Sequence, residues 1–328
     1  MKATSLILTL LAAAAPPVLA QNYVSVGDPG NPSDPATGFG SVAYTFGISQ
    51  YEVTNNQYAT FLNAKASSDP NGLYSASMNA DANGGIIQFG ISGAYTYSVK
   101  AGQGNQPVIY VSFLDAMRYA NWLNNGQGSA ADTETGAYTL SLGGLAPRSA
   151  GAQFWIPSEN EWYKAAYYQP VAGGDAKIYR LYPTGSNVIP NSSNGSASDA
   201  NSANFYYNDS IANGFNGGYA VTNSPNFSGT QNYLTDVGAF RQAGSYYGTF
   251  DQGGNVFEWN ESVVGSSRGT RGGWWGGAEV NLRSSVRYAD DPATEDPGLG
   301  FRVAVAPEPM TATLALLGAA ATFATRRR

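Results

Sequence analysis

Three stretches of the chain carry apolar residues at helical spacing. Each opens on a hydroxyl residue followed three positions later by a side chain able to bond back to it: Thr54 with Gln57, Ser112 with Asp115, and Ser158 with Glu161. In such a capping box the cap oxygen accepts from a free N–H of the first turn, and the third side chain accepts from the cap's own N–H. Helices are therefore expected over about 55–64, 113–123 and 159–168. The first turns Tyr58, Phe61 and Leu62 inward, the second Ala116, Met117, Ala120 and Leu123, and the third Trp162, Ala165 and Ala166. Pro70, Asn124-Asn125-Gly126 and Pro170 are their stops. Runs at 86–91, 94–99 and 137–142 carry β-branched or aromatic residues between glycines and read as short strands. Residues 21–43 read as an opening loop, and 186–229, rich in Asn, Ser and Gly, as long irregular loops. The fold class is α+β, loop-rich, with little regular secondary structure.

The two ends follow a different pattern. Lys2 precedes an apolar run from Ser5 to Ala15, Pro16-Pro17 break it, and Val18-Leu19-Ala20 offers the small-x-small site of a signal peptidase. Residues 1–20 are thus expected to be a signal peptide, with the mature chain starting near Gln21. At the other end Pro307-Glu308-Pro309 is followed by an uncharged stretch from Met310 to Thr325 and then by Arg326-Arg327-Arg328. That stretch is at the short limit for a membrane span, and the arginines would stay on the cytoplasmic side. In this order and position the three features resemble the PEP-CTERM sorting signal of bacteria. The resemblance implies recognition by an exosortase-type sorting enzyme, transient anchoring in the inner membrane through residues 306–328, and delivery to the cell surface or extracellular matrix.

Composition narrows the chemistry of what lies between. Lys2 and the three terminal arginines take four of 17 basic residues, leaving 13 against 23 acidic, a net charge of −10. A nucleic-acid partner needs clustered Lys and Arg and is not expected. Cys and His are both absent. No disulfide, thiolate nucleophile or histidine triad is available. Zinc sites of the usual kind are excluded, so any metal must be held by oxygen, which favours calcium or magnesium. No phosphate-cradling loop of the G-x-x-x-x-G-K-[ST] type occurs.

The most specific region begins at Gly248-Thr249-Phe250-Asp251-Gln252-Gly253-Gly254-Asn255-Val256-Phe257-Glu258-Trp259. Arg271-Gly272-Gly273-Trp274-Trp275, Leu282-Arg283-Ser284-Ser285-Val286-Arg287 and Gly300-Phe301-Arg302-Val303 follow. Upstream stand Tyr51-Glu52-Val53-Thr54-Asn55, Pro107-Val108 with Val111-Ser112, and Ile156-Pro157-Ser158-Glu159 with Glu161-Trp162. Together these resemble the sulfatase-modifying-factor family, founded on the formylglycine-generating enzyme, over roughly Val24 to Ala304. The resemblance implies one domain over 21–305 with a variant of the C-type-lectin fold. It also implies a structural calcium held by the Asp251 and Glu258 side chains and the Gly254 and Val256 carbonyls. By residue type alone the motif reads rather as a glycine-rich turn with a solvated Asp and a Glu paired to an Arg, because its spacing is not that of an EF-hand. A second calcium site of the family would fall within 204–232 and is left open.

The family's oxidase members use two cysteines and copper, and those cysteines would fall between Gly276 and Leu282, where this chain has none. Without thiolate there is no soft ligand for Cu(I), and formylglycine-generating activity is not expected. Relatives that bind iron through histidines lose their ligands too. Trp274 and Trp275 with Glu279 are candidates for a ligand groove, an aromatic face stacking a sugar or side chain; core packing is the alternative for at least one of the two. Asp290-Asp291 and Glu295-Asp296 form an acidic loop that reads as a solvated turn rather than a catalytic pair. Arg283 and Arg287 read as structural, bonding loop carbonyls or Glu258. The expectation is a calcium-stabilised, non-catalytic surface domain that binds an extracellular polysaccharide, peptide or matrix protein. The alternatives are an enzyme using carboxylates on glycans and a purely structural coat protein.

Overall fold

The structure, a computed structural model, describes residues 21–170, 178–194 and 200–307. The signal-peptide region, the apolar tail, Glu308 and Pro309 lie outside the described residues, and Pro307 is the last of them, exposed. Among the described residues no helix is long and apolar enough to cross a membrane.

All three capping boxes form, with both reciprocal bonds in place, and they start helices at Asn55–Lys65, Phe113–Asn124 and Glu159–Tyr167. The inward residues expected from their spacing are buried. The first two helices pack their aromatic faces together. Phe61 meets Trp122 at 5.3 Å and Tyr119 at 5.4 Å between ring centres, and Tyr119 meets Phe301 at 5.4 Å. Buried rings at this spacing contribute both area and favourable edge-to-face contact. Trp259 closes the cluster, donating its indole N–H to the Val111 carbonyl at 3.0 Å.

Two four-stranded sheets flank this core. One joins the ends of the domain, in the order Tyr23–Val26, Phe46–Ser49, Ala304–Val305, Phe154–Trp155, all antiparallel. The other runs Tyr288–Asp290, Ser267–Arg271, Phe257–Val264, Leu299–Gly300, with the last pair parallel. A hairpin of Ile86–Phe89 and Thr96–Val99 matches two of the expected strands.

The third expected strand does not form. Residues 137–139 are irregular and Leu140–Leu142 is a 3₁₀ turn. The Asn121 side chain stands in for a neighbouring strand there. Its Oδ1 accepts from the Tyr138 N–H at 2.8 Å, and its Nδ2 donates to the Tyr138 and Thr133 carbonyls at 2.9 and 2.8 Å. The 186–229 region is also more ordered than its composition suggests. It contains the pairs Asn191–Ser192 with Ser202–Ala203 and Tyr206–Asn208 with Gly217–Tyr219, and it buries Phe205.

The remaining loops are held by tyrosine hydroxyls. Tyr163 donates to Asp34 at 2.5 Å, Tyr44 to Glu161 at 2.6 Å, Tyr138 to Glu261 at 2.6 Å, and Tyr167 to the Leu282 carbonyl at 3.0 Å. Each tie joins segments far apart in sequence. In a chain without cysteine they take on the restraint of loops that a disulfide would otherwise give.

The buried tyrosines also differ in a measurable way. Tyr58 donates to the Leu73 carbonyl at 2.8 Å, whereas the Tyr119 hydroxyl is buried with no partner. Tyr58→Phe should therefore cost about 1 kcal/mol, and Tyr119→Phe should be neutral or stabilising. Denaturant titration of the two variants checks the contrast.

Candidate functional site

The loop at 251–256 turns on three left-handed residues, Asp251 (φ 61°), Gly254 (φ 86°) and Asn255 (φ 60°). A Cβ on Gly254 would lie 2.2 Å from the Asn204 carbonyl oxygen, so only glycine fits. Asn255 then ties the loop to its surroundings. Its Oδ1 accepts from Asn204 Nδ2 and from the Thr235 N–H, both at 3.1 Å, and its Nδ2 donates to Glu52 Oε1 at 3.3 Å. The Asn255 carbonyl accepts from the Trp275 N–H at 3.0 Å, which hangs the tryptophan pair on the same loop.

Glu258 is the second residue of the inner strand Phe257–Val264 and is fully buried opposite Arg302, also fully buried. Arg302 donates through Nε and Nη2 to the two carboxylate oxygens at 2.5 and 2.6 Å, and Trp162 donates its indole N–H to Oε2 at 2.7 Å. The other guanidinium bonds reach the Ser49 carbonyl at 3.0 Å and the Phe250 carbonyl at 2.9 Å. Arg302, rather than Arg283 or Arg287, is thus the partner of Glu258. Arg287 binds Glu159 at 2.7 and 2.9 Å, Arg283 binds Glu279, and Arg271 joins Glu159 at 2.7 Å.

Asp251 and Glu52 complete a buried acidic cluster around that pair. Asp251 Oδ2 accepts from the Gly238 N–H at 2.5 Å, while its Oδ1 is buried without a partner, as is Glu52 Oε2. Burial pushes the Asp251 carboxyl up to about 6, with Glu258 adding to the effect and the Gly238 N–H and Arg302 opposing it. Burial, then Asp251 and Glu258, hold Glu52 well above the usual carboxylate range against the pull of Arg302.

These residues can be tested as ligands for a hard divalent cation. Asp251 borders a small hollow of about 10 Å³, walled by Thr184, Ser202, Gln252 and Gly253 and not by Gly254, Val256 or Glu258. Among the described residues no group of three acidic side chains is placed to hold a metal ion together, so backbone carbonyls would have to supply the remaining ligands. Glu258 uses three of its roughly four acceptor positions on Arg302 and Trp162, leaving one. Asp251 keeps one oxygen without a partner, and Glu258 has at most one acceptor position left beside Arg302 and Trp162.

The tryptophan pair separates into two roles. Trp275 is buried and stacks flat on Tyr233, with ring centres 5.0 Å apart and planes 9° from parallel, beside Phe227 and Tyr219. Val256 is buried in the same cluster. Trp274 meets Trp275 edge-on at 4.7 Å and is half-buried. Two open hollows share it as a wall. One, of about 360 Å³, is bounded by Phe257, Tyr288, Asp290 and Asp296; the other, of about 310 Å³, by Asp81, Asn83, Tyr219 and Phe227. Glycines at 276, 277 and 298 make room for the ring, since a Cβ on any of them would stand 2.6 to 2.9 Å from it.

Glu279 stands apart from both hollows. Its carboxylate takes Arg283 at 2.6 and 3.0 Å and the Tyr182 hydroxyl at 2.7 Å. The acidic loop is partly a turn, as expected, with Asp291 and Asp296 capping the Ala293 and Gly298 N–H groups. Sequence reasoning missed that Asp290 and Asp296 line the Trp274 hollow, that Glu52 joins the acidic cluster, and that Tyr219, Phe227 and Tyr233 build the aromatic floor. Glu52 and Arg302 both stood inside quoted motifs; the others carried no local signal.

The fold and this loop, with its buried Glu–Arg pair, define a sulfatase-modifying-factor domain. A profile of the sulfatase-modifying factor enzyme 1-like domain matches residues 31–307, and the chain belongs to that family. Similar solved structures include variable protein 1 of Treponema denticola, at 17% identity over 87% of this chain and 95% of that chain with a TM-score of 0.48. CarF is similar at 18% identity over 89% of this chain and 100% of that one (TM-score 0.47), and PvdO from Pseudomonas aeruginosa at 18% over 88% and 92% (TM-score 0.42). No curated protein matches the chain.

Replacing Arg302 by Met should leave Glu258 buried and unpaired, at a cost of about 3–5 kcal/mol in denaturant unfolding. Adding Glu258→Met to that variant should recover part of the loss, because an uncharged pair of similar volume needs no compensation.

Proposed function

We propose that the chain is an exported binding domain of the sulfatase-modifying-factor fold, in its lectin-like form. It would hold an extracellular polysaccharide, peptide or matrix protein against Trp274. The observation that carries this reading is that half-buried ring, shared by two open hollows and packed on the stacked Trp275 and Tyr233. Rings of this kind stack on sugar faces and side chains, and the acids and amides around them supply hydrogen bonds. The sequence supports a non-oxidase role, since the chain offers no thiol or imidazole to a redox metal. The signal-peptide pattern and the Pro307-Glu308-Pro309 tail support export, handling by an exosortase-type enzyme and a surface location.

Calcium belongs to this proposal as a structural ion. Asp251 would hold it with the Gly254 and Val256 carbonyls, and Glu258 would bridge it to Arg302. A bound cation would neutralise the acidic cluster and so stabilise the native state by mass action. Glu279, paired to Arg283, would act at most at the margin of the binding face.

A second reading, carboxylate chemistry on a glycan, is supported by Asp290 and Asp296 lining one hollow. Glycan-array binding of the full-length chain tests both readings. Trp274→Ala should weaken the best ligand about tenfold or more, and incubation with that ligand should release no reducing sugar. Reducing-end release that stops in Asp290→Asn would replace the binding reading by the enzymatic one.

The metal has its own test. Asp251 has a folded-state pKa raised to about 6. Without metal, its contribution to stability is present below about pH 4 and is lost as pH rises through 6. A bound cation needs the ionised form, so its effect runs the other way. Calcium should raise the melting temperature by roughly 5 °C over a chelated sample at about pH 7.5. The increment should shrink at about pH 5 and vanish in Asp251→Asn; identical melting curves with calcium and with chelator would remove calcium from the account.

A further inference from the structure

The two hollows beside Trp274 differ in charge. Phe257, Thr270, Tyr288 and Asp290 reach the one of about 360 Å³ from three adjacent strands, and Trp274 and Asp296 border it from loops. Phe257 and Tyr288 meet edge-on there, with ring centres 5.4 Å apart. Asp290 accepts from the Thr270 hydroxyl at 3.1 Å and Asp296 from the Gly298 N–H at 2.8 Å; each keeps its other carboxylate oxygen without a hydrogen bond among the described residues. Neither acid has a basic partner among those residues. The arginines of the surrounding elements are engaged elsewhere. Arg268, opposite Asp290 in the strand ladder, donates to the Gly144 and Ala146 carbonyls. Arg271 and Arg287 bind Glu159, and Arg283 binds Glu279. In the hollow of about 310 Å³ the one acid is already answered. Asp81 takes the Tyr110 hydroxyl at 2.5 Å, and the Lys100 ammonium donates to the Asp81 carbonyl at 2.8 Å.

Aromatic rings attract cations, and so do carboxylates that lack a counter-charge. A metal ion wants more oxygen than two carboxylates bring. An ammonium or guanidinium group on an apolar stem uses both kinds of wall at once, its charge on the acids and its methylenes on the rings. The sheet adds a preference for a peptide as the carrier of that group. Tyr288–Asp290 is an edge strand that pairs only with Ser267–Arg271, so its outer main-chain groups can receive an added strand. Tyr288 and Asp290, two residues apart, both face the hollow from that edge. We propose that this hollow takes the lysine or arginine side chain of an extended segment of a partner protein, whose main chain adds to the edge at 288–290. The inference rests on the reading of Trp274 as a binding face and narrows its partner to a basic protein.

The test uses short capped glycine–serine peptides with a central arginine, lysine, citrulline or acetyl-lysine. They are titrated into the full-length wild type, Trp274→Ala, Asp290→Asn and Asp296→Asn, beside neutral and amino-sugar oligosaccharides. The arginine or the lysine peptide should bind about tenfold or more tightly than its neutral counterpart. That preference should fall about threefold or more in each Asn variant and to within about twofold in Trp274→Ala. Asparagine can still accept from Thr270 and Gly298, so the Asn variants serve if Trp274→Ala melts early. The proposal is overturned if charged and neutral peptides bind alike, if no peptide binds, or if both Asn variants keep the full preference. In any of these cases a neutral oligosaccharide that binds and is lost on Trp274→Ala leaves the binding-face reading standing without the cation. An amino-sugar oligosaccharide bound more tightly than every peptide, and weakened by Asp290→Asn, replaces the protein partner by an aminated polysaccharide. A charge preference that ignores Trp274→Ala overturns the inference and the reading beneath it together.

Discussion

The ion pair between Glu258 and Arg302 is the constraint on which the rest of the molecule depends. Neither group touches solvent. Two charges in such a place are tolerated only when their hydrogen-bonding positions are filled, and the fold is arranged to fill them. Trp162 comes from the third helix, the Ser49 carbonyl from the first sheet, and the Phe250 carbonyl from the approach to the motif loop. The pair is therefore a meeting point of four distant segments. Once Arg302 is seated, Phe301 and Val303 on either side of it are carried into the aromatic core, and Ala304–Val305 into the first sheet.

The same arrangement sets up both the acidic cluster and the tryptophan pair. Asn255 lies between Asp251 and Glu258 in sequence and spends its amide on Asn204, Thr235 and Glu52. Its carbonyl fixes Trp275, and Trp275 fixes the orientation from which Trp274 faces outward. A motif that reads as a single metal loop is thus also the support of a surface some distance away. Among the described residues much of this support is made by side chains bonding to backbone, which suits a chain with long loops and few strands.

The legible part of the sequence was the part with local grammar. Capping boxes with helical spacing gave helix starts to the residue, because each box is closed by residues three apart. The mistaken strand at 137–142 shows the limit of that reasoning. Its residue types suit a strand, but Asn121, a helix residue, supplies the hydrogen bonds a strand would have offered. The pairs at 191–192 and 202–203 are too short to carry any period. Charge partners were the least readable feature. Arg287 and Arg302 were indistinguishable on paper, and only the fold assigns one to Glu159 and the other to Glu258. The Trp274 face was half legible: the tryptophans were visible, whereas Asp290 reaches it from the end of a short strand and Asp296 and Phe227 from loops that give no sign of where they lead.

The three glycines around Trp274 have a consequence for how this surface can change over generations. Each leaves a space that any other residue would fill with at least one carbon, against a ring that bounds two hollows. A single nucleotide change in a glycine codon is enough to introduce that carbon. The ring would then have to shift, and both hollows that it bounds would change shape. Inheritance can thus re-shape this face in one step.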